Sequence, residues 1–382
     1  MISHHPLKRK LFTVPFVFFL LIFLIGLYFI IERFIFGMGS VSNLNGGFAW
    51  GIWVVYDVVI GTALACGGYA VALTVYVLNK GEYHPLVRPA ILTSLLGYAL
   101  GGFGAFFDMG RWWQFYNIFL PWNWNFNSVL LEVGLCVALY ITVLAIEFSP
   151  AFLEKIGAKS LLKIVNKFMF FFIALGIVLP TMHQSSLGTL LIAMGHKVHP
   201  LWQTLHFQPL LAILTALTMG FSIVIFEGAF STISFRLHSE TQLHKNLGKA
   251  IMGLLISFLV IRFGLLLTQG NISYLFRGDL ASMLYILETV LFIIPIVVLA
   301  SPARRADGGN LLFAAITMLL AGALYRFDAF LITLNPGPGY TYFPSTAEMM
   351  ITFGIISFEI MLYLIFVKTM PVLPVVQHEK HA

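Results

Sequence analysis

Residues 11–36 read LFTVPFVFFLLIFLIGLYFIIERFIF, an almost unbroken apolar run that follows the basic residues Lys8, Arg9 and Lys10. A cleaved signal peptide has an apolar core of about 7–15 residues and a small-residue cleavage site. This run is longer and lacks such a site. Because about 20 apolar residues cross a bilayer as a helix, the sequence predicts an uncleaved membrane-spanning helix here.

The composition of the whole chain extends this prediction. Of 382 residues, 59% are hydrophobic and only 10% are charged, whereas a soluble domain carries about 25% charged residues. This excludes a soluble domain, and the net charge of +6 does not indicate a nucleic-acid partner. Cys66 and Cys136 lie far apart in apolar runs, without the CxxC or Cys–His spacing of a metal or iron–sulfur site. No metal site is therefore predicted.

Ten apolar runs are long enough to cross a membrane. The sequence therefore predicts an all-α integral membrane protein with a single polytopic domain over residues 1–382. The predicted helices cover about residues 11–36, 49–78, 86–107, 126–149, 163–182, 208–235, 247–269, 280–300, 310–333 and 346–370. Residues 190–206 are shorter and mixed, and are predicted to lie on the outer surface as a helix or loop. Their histidines are poorly spaced for a metal site.

The distribution of basic residues predicts the orientation of these helices. With a cytoplasmic N-terminus, 16 of the 22 basic residues, including Lys8, Arg236 and Lys380, fall on the cytoplasmic face, and four fall on the opposite face. Basic residues are concentrated in cytoplasmic loops of membrane proteins. We therefore expect both termini to be cytoplasmic.

Polar side chains recur at one depth in the outer half of six predicted helices, roughly 9–15 Å below the outer surface. Charged residues inside membrane helices are costly and usually functional. A structural alternative is an ion-pair network in which Arg262 and Arg326 neutralise Glu288 and Asp57. The predicted layer contains Asp57, Tyr98, Glu132, Arg262, Glu288 and Arg326, with His183 and Gln184 capping helix 5 above it.

Two further acids lie deeper. Glu227 and Glu359 have no basic partner in their own segments, and a buried carboxyl without a partner is expected to be neutral. A neutral acid that ionises transiently suits a proton path, which we predict to include Glu132 as well. The alternative is a satisfied hydrogen bond between helices.

The sequence positions of the histidines argue against a bound haem. All of them are predicted to lie in tails, in loops or at helix ends, whereas a membrane b-type haem needs axial ligands inside helices. The outer polar layer fits a quinone instead, because a quinone head needs hydrogen-bond donors and takes up two protons with two electrons. Tyr98 or His183 could donate to a carbonyl, and Asp57 and Glu132 could supply protons. The electrons would then come from a partner on the outer face.

Four long stretches carry a resemblance to a known family. The sequence resembles the NrfD/PsrC (polysulfide reductase) family of quinone-reacting membrane proteins, and in particular the membrane subunits of hydrogenase-2-type nickel–iron hydrogenases. The resemblance runs from the first helix to the last. The stretches are GMGSVSNLNGGFAWGIWVVYDVVIGTALACGGYA (37–70), YHPLVRPAILTSLLGYALGG (83–102), LPTMHQSSLGTLLIAMGHKVHPLWQT (179–204) and GFSIVIFEGA (220–229).

This resemblance implies two four-helix bundles with one additional helix at either end, in the bacterial inner membrane. It also implies a quinone site, for menaquinone or ubiquinone, in the periplasmic half. The chain would carry no haem and no iron–sulfur cluster. Its partners would be a periplasmic four-cluster iron–sulfur protein, the small and large subunits of a nickel–iron hydrogenase, and the membrane quinone pool. It would have no activity in isolation.

Certain residues match polar positions of the family. Arg88 also has an ordinary interpretation as a cytoplasmic basic residue at the start of helix 3, so it ranks second, together with Gln184, Arg262, Glu288 and Arg326. The matching positions are Asp57, Arg88, Tyr98, Glu132, His183 and Glu227.

Two other function classes remain open at this point. A proton- or ion-coupled transporter could use the same charges along a substrate path, although transporters usually have helices broken near the midplane. A passive membrane anchor would not need Glu132 or Glu227. Co-purification with an iron–sulfur protein would favour the quinone-reacting subunit, and solute flux without such a partner would favour a transporter.

Overall fold

The computed structural model describes residues 2–7, 9–235 and 241–376. Those residues contain ten helices that are long and apolar enough to cross a membrane, so the predicted count and the all-α membrane fold are confirmed. Three basic residues used to predict the orientation, Lys8, Arg236 and Lys380, lie outside the described residues.

The ten spanning helices are numbered here in chain order. They are α1 Val14–Phe36, α2 Val54–Val77, α3 Gly81–Asp108, α4 Val129–Ile156, α5 Lys159–Met194, α6 Gln208–Phe235, α7 Thr241–Thr268, α8 Leu280–Ala300, α9 Gly308–Ile332 and α10 Thr346–Thr369. The π-helical segments are Val54–Ile60 and Leu73–Val77 in α2, and Asp328–Ile332 in α9.

Short elements connect the spans. A two-stranded antiparallel sheet pairs β1, Ile2–His4, with β2, Pro374–Val376, so the two ends of the described chain meet on one face. An even number of spans requires this, whereas the cytoplasmic location of that face stays a prediction. Single turns of 3₁₀- or α-helix are Met38–Ser40, Pro121–Asn123, Gly195–Lys197, Leu205–Phe207 and Pro302–Arg305, and longer 3₁₀ segments are Trp112–Phe119 and Asn271–Phe276.

Local sequence signals set several helix ends. Asp279 accepts a hydrogen bond from the backbone N–H of Ser282 at the start of α8, and Ser345 forms a reciprocal capping box with Glu348 at the start of α10. Both satisfy N–H groups that a helix leaves without partners. Gly157 takes the left-handed conformation (φ 73°) that turns α4 into α5.

Helix packing follows the chain order in two sets. Helices α2 to α5 contact one another in sequence, as do α6 to α9, with α9 returning to α6; α2 and α5 also pack on α6 as extensively as α7 does. Helix α1 packs along α10, where Gly26 and Gly354 let the two backbones approach closely. Because the two sets contact each other this extensively, the two four-helix bundles expected from the family resemblance stay a prediction.

Helix α5 differs most from the sequence prediction. It continues through Pro180 to Met194, so the predicted end at residue 182 and the predicted helix cap at His183 are wrong. A proline in a membrane helix is tolerated because neighbouring groups satisfy the freed carbonyl. Leu201 and Trp202 are buried, whereas His196 and His206 are exposed, so the outer-surface location of residues 190–206 stays a prediction.

Candidate functional site

A largely apolar cavity of about 420 Å³ lies between α1, α2, α3, α6 and α10. Three carboxyl side chains line it, Asp57, Glu227 and Glu359, and it is called the carboxyl cavity below. The other polar side chains at its wall are those of Tyr56, Thr93, Ser231 and Tyr363, and aliphatic and phenylalanine side chains with three glycines make up the rest.

The three carboxyls stand at different depths. Helices α2, α6 and α10 all start on the face opposite the termini, and Asp57 is the 4th residue of α2, Glu359 the 14th of α10 and Glu227 the 20th of α6. At 1.5 Å per residue these positions lie about 5, 20 and 29 Å along their helices. Because a bilayer core is about 30 Å thick, the carboxyls are staggered across most of it.

Asp57 occupies the end of the cavity far from the termini. Its side chain is 5% exposed, and Oδ2 has no hydrogen-bond partner among the described residues. Helix α3 can approach because it presents glycines: a Cβ at Gly101 would lie 2.8 Å from the backbone oxygen of Asp57, and one at Gly104 would overlap the Asp57 side chain. These glycines therefore fit the close packing predicted from their spacing.

Glu227 and Glu359 continue the series toward the termini. Thr93 Oγ1 donates a hydrogen bond to Glu227 Oε1, and Glu359 lies beside Gly97 of α3. Both carboxyls are only partly buried, because each faces the cavity. The hydrogen bond from Thr93 is the inter-helix contact that the sequence analysis kept as an alternative for Glu227.

A second group of polar side chains is sealed in the interior. His183 Nε2 lies 3.0 Å from Thr62 Oγ1, and Gln184 Nε2 donates to the same oxygen over 3.2 Å. Arg326 Nη2 donates to Gln184 Oε1 over 3.1 Å. All four residues are at most 1% exposed, so this hydrogen-bonded group is enclosed in the interior, although His183 Nδ1 and Arg326 Nε have no partner among the described residues.

Tyr98 belongs to this interior and not to the cavity. Its ring packs edge-on against Tyr140 at 4.5 Å between centroids and against His183 at 5.7 Å. Its hydroxyl lies 3.7 Å from Cys66 Sγ. Gly97 lines the cavity, but Tyr98, the next residue along α3, points to the other side of the helix.

The structure therefore separates residues that the sequence placed in one layer. Glu132 lies in the first turn of α4 and is exposed, so its predicted depth is wrong. Asp57, Tyr98 and Glu132 occupy three different surroundings, and the single pocket predicted around them is not formed. Of those three, Asp57 alone lines the carboxyl cavity.

The predicted ion-pair network is half correct. Arg262 and Glu288 form a fully buried ion pair, and Trp202 Nε1 donates to Glu288 over 3.3 Å. Within the described part of the chain, Arg326 does not pair with Asp57. It donates instead to Gln184, Thr215 and the backbone carbonyls of Val59 and Ala212.

Arg88 has a structural partner near the face on which the two chain ends meet, called the terminal face below. Its guanidinium forms a two-pronged ion pair with Glu154 of α4, with N–O distances of 2.7 and 2.5 Å. Both side chains are about one-third exposed (28% and 35%). This contact agrees with the ordinary interpretation of Arg88 as a basic residue at a helix end.

Sequence reasoning missed two acids inside the spans. Asp328 is fully buried, and neither carboxyl oxygen has a hydrogen-bond partner among the residues that the structure describes. Glu147 lines a second cavity of about 320 Å³ with His84, Arg88 and Tyr76. Each is an acid within an apolar run, which was the signal used for Glu227 and could have identified both.

An apolar groove of about 370 Å³ runs between α2, α9 and α10. Leu320 and Phe353, which line it, are about half exposed, so the groove faces the lipid. Tyr56 lines both this groove and the carboxyl cavity, and it is the residue next to Asp57. Tyr56 therefore forms a wall between a lipid-facing surface and the carboxyls.

Comparison with known proteins finds relatives that match the chain almost from end to end. It is 45% identical over 378 residues to the "Probable Ni/Fe-hydrogenase 2 b-type cytochrome subunit" of Escherichia coli, covering 98% of this chain and 96% of that protein. It is 24% identical to the "Menaquinone reductase, integral membrane subunit" of Nitratidesulfovibrio vulgaris, covering 88% and 86% of the two chains.

The name of the Escherichia coli protein raises the question of haem, which usually needs histidine ligands from facing helices. Within the described residues, the buried histidines of the spans are His183 and His244. They are the 25th residue of α5 and the 4th of α7, helices that start on the same face, so roughly 30 Å of depth separates them. His183 is also enclosed by Thr62 and Tyr98. These two buried histidines therefore do not form the facing pair that a bis-histidine haem needs.

The family is decided by a match over most of the chain. The family described as "Polysulphide reductase, NrfD" matches residues 40–333. This region contains α2 to α9, and with them Asp57, His183 and Glu227. The chain, a multi-pass integral membrane protein, belongs to the NrfD family.

Proposed function

We propose that this chain is the quinone-reacting membrane subunit of a hydrogenase complex in the bacterial inner membrane. It passes electrons from a periplasmic iron–sulfur protein to menaquinone or ubiquinone. The observation that carries this proposal is the apolar cavity with Asp57, Glu359 and Glu227 at successive depths. Its relatives, by name a hydrogenase subunit and a menaquinone reductase subunit, support the reaction class.

The quinone head is proposed to bind at the Asp57 end of the cavity, in the periplasmic half. A quinone tail is apolar, and the groove between α2, α9 and α10 offers it an apolar lipid-facing surface next to Tyr56. Asp57, buried and with an unpartnered oxygen, can hydrogen-bond a carbonyl when protonated or supply its proton. The tail then remains in lipid while the head reaches the carboxyls.

In this proposal Tyr98 and His183 lie outside the quinone site and act on it indirectly. The Tyr98 hydroxyl lies against Cys66, and His183 Nε2 lies against Thr62, which also accepts a hydrogen bond from Gln184. Thr62 lies on α2 five residues after Asp57. We propose that they fix the position of α2, and thereby of Asp57. Glu132, at the exposed outer end of α4, is kept as an alternative proton donor on the periplasmic side, for the case in which protons do not come through Glu227.

The reaction requires two electrons and two protons for each quinone reduced to quinol. The electrons are proposed to come from hydrogen, through the small and large subunits of a nickel–iron hydrogenase and a four-cluster iron–sulfur protein. Protons drawn from the cytoplasm through Glu227 and Glu359 would move charge across the membrane. One charge across 100 mV corresponds to about 2.3 kcal/mol, so the membrane potential could then drive hydrogen production from quinol.

The test is hydrogen-dependent quinone reduction by the complex that co-purifies with this chain, reconstituted in liposomes with a menaquinone or a ubiquinone. We expect quinol to form with the complex and not with the chain alone, and no haem band in the absorption spectrum. Absence of an iron–sulfur partner together with solute flux would overturn the proposal in favour of a transporter.

A further inference from the structure

Another, small cavity of about 40 Å³ adjoins the carboxyl cavity at its end nearest the termini. Glu227, Ser231 and Tyr363 line both cavities, and His244 and Gly228 line the small one. Glu227 therefore stands between the large cavity and the face on which the termini lie. The remaining wall consists of Leu86, Pro89, Ala90, Val224, Thr232, Leu373 and Pro374.

His244 is held against Glu227 by the packing of α7 on α6. It is the 4th residue of α7, on the terminal side, and is 5% exposed. Its ring lies over Gly228, the neighbour of Glu227, because a Cβ at Gly228 would overlap the imidazole. Any larger residue at position 228 would push His244 away from this place.

Two buried polar atoms at this cavity lack partners. His244 Nε2 and the Tyr363 hydroxyl make no well-formed hydrogen bond to a described residue, although Ser231 lies beside the Tyr363 hydroxyl. Buried polar side-chain atoms are nearly always hydrogen-bonded to protein or to water. A cavity of more than about 15 Å³ can hold a water molecule that finds two to four polar partners, and both the volume and the polar groups of this cavity meet that requirement.

We propose that a water molecule in this cavity joins His244 Nε2, the Tyr363 hydroxyl and the Glu227 carboxyl, and that His244 is the residue through which Glu227 exchanges its proton with the aqueous phase on the terminal face. A proton from the aqueous phase first makes the His244 ring an imidazolium. Its Nε2 proton then passes to the water as the water gives one to the Glu227 carboxylate, and a neutral imidazole remains. The titratable groups facing the water are His244 from α7, Glu227 from α6 and Tyr363 from α10, while α3 and the C-terminal segment contribute apolar side chains.

This inference rests on the proposed function only for the reason why Glu227 needs a supply of protons. In a proton path through Glu359 and Asp57, Glu227 needs a supply from the terminal side, and His244 provides it at the first turn of α7. The water position and the exchange route can be tested without any quinone chemistry.

The test is infrared hydrogen–deuterium exchange of the Glu227 carboxyl band in the purified complex transferred to D₂O, with the band assigned by its loss in Glu227→Gln. His244→Phe keeps a ring of similar size but cannot carry a proton. We expect it to slow exchange at least about hundredfold, the lower end of what one proton-transfer group contributes. The matched control is His84→Phe, at a partly polar cavity that does not adjoin Glu227, and it should exchange at the wild-type rate.

His244→Gln keeps a hydrogen-bonding side chain without a titratable group and serves if the Phe variant does not fold. It too should slow exchange. Wild-type exchange in either folded variant would overturn the inference, as would the absence of a protonated Glu227 band in the wild-type complex. Slowed exchange in a complex that never reduces quinone would instead overturn the proposed function alone.

Discussion

Arg326 of α9 donates to Gln184 of α5 over 3.1 Å, which joins a helix of the second set to a helix of the first. The same guanidinium donates to the backbone oxygen of Val59 in α2 and that of Ala212 in α6. One buried cation thus fixes four helices against one another. Because Gln184 also donates to Thr62, the position of the helix that carries Asp57 depends on this contact.

Replacing Arg326 tests that role. Arg326→Met should lower the free energy of unfolding by about 2–5 kcal/mol, because it leaves buried acceptors without donors. The measurement is the thermal unfolding midpoint in detergent. Arg277→Met is the control, since Arg277 is exposed and stacks on Tyr274. Equal midpoints for the two variants would show that Arg326 does not hold the helices together.

The buried pair of Arg262 and Glu288 should be far more sensitive than the exposed pair of Arg88 and Glu154. Glu288→Gln leaves a guanidinium uncompensated inside the protein, at a cost of about 3–5 kcal/mol. Glu154→Gln should cost at most about 1 kcal/mol, because solvent screens that pair. Thermal unfolding of both variants is the measurement, and a larger loss in Glu154→Gln would contradict the structure.

Gly104→Ala should disturb the quinone site directly. The new Cβ would overlap the Asp57 side chain, and such overpacking costs about 1–3 kcal/mol. We expect hydrogen-dependent quinone reduction to fall in the reconstituted complex. Gly102→Ala is the matched control, because a Cβ there makes an ordinary contact of 3.4 Å with Ile141. The same turnover in both variants would show that Asp57 takes no part in quinone reduction.

Glu227→Gln and Glu132→Gln distinguish the inner and outer proton routes. Glu227→Gln should reduce hydrogen-dependent quinone reduction at least about hundredfold, since it removes a proton-transfer group, while the complex still assembles. Glu132 is exposed and outside the cavity, so Glu132→Gln should keep most of the turnover. Normal turnover in Glu227→Gln would remove the inner route, and loss in Glu132→Gln would make the outer carboxyl necessary.

The sequence by itself determined the membrane fold and identified acids inside its apolar runs. Apolar runs of about 20 residues can satisfy their backbone hydrogen bonds in lipid only as helices, so ten spans follow from composition and length. A carboxyl in such a run was recognised at Asp57, Glu227 and Glu359, and these three share the cavity. Family motifs in the same runs identified the NrfD family before any coordinates.

Only the tertiary structure decided which polar groups meet. Depth along a helix is one coordinate, whereas contact also depends on the rotation of each helix and on its neighbours. Successive residues of a helix point about 100° apart, so Gly97 lines the cavity while Tyr98 faces Tyr140 and His183. The end of α5 could not be predicted either, because Pro180 ends a helix in water but not where neighbouring helices satisfy the freed carbonyl.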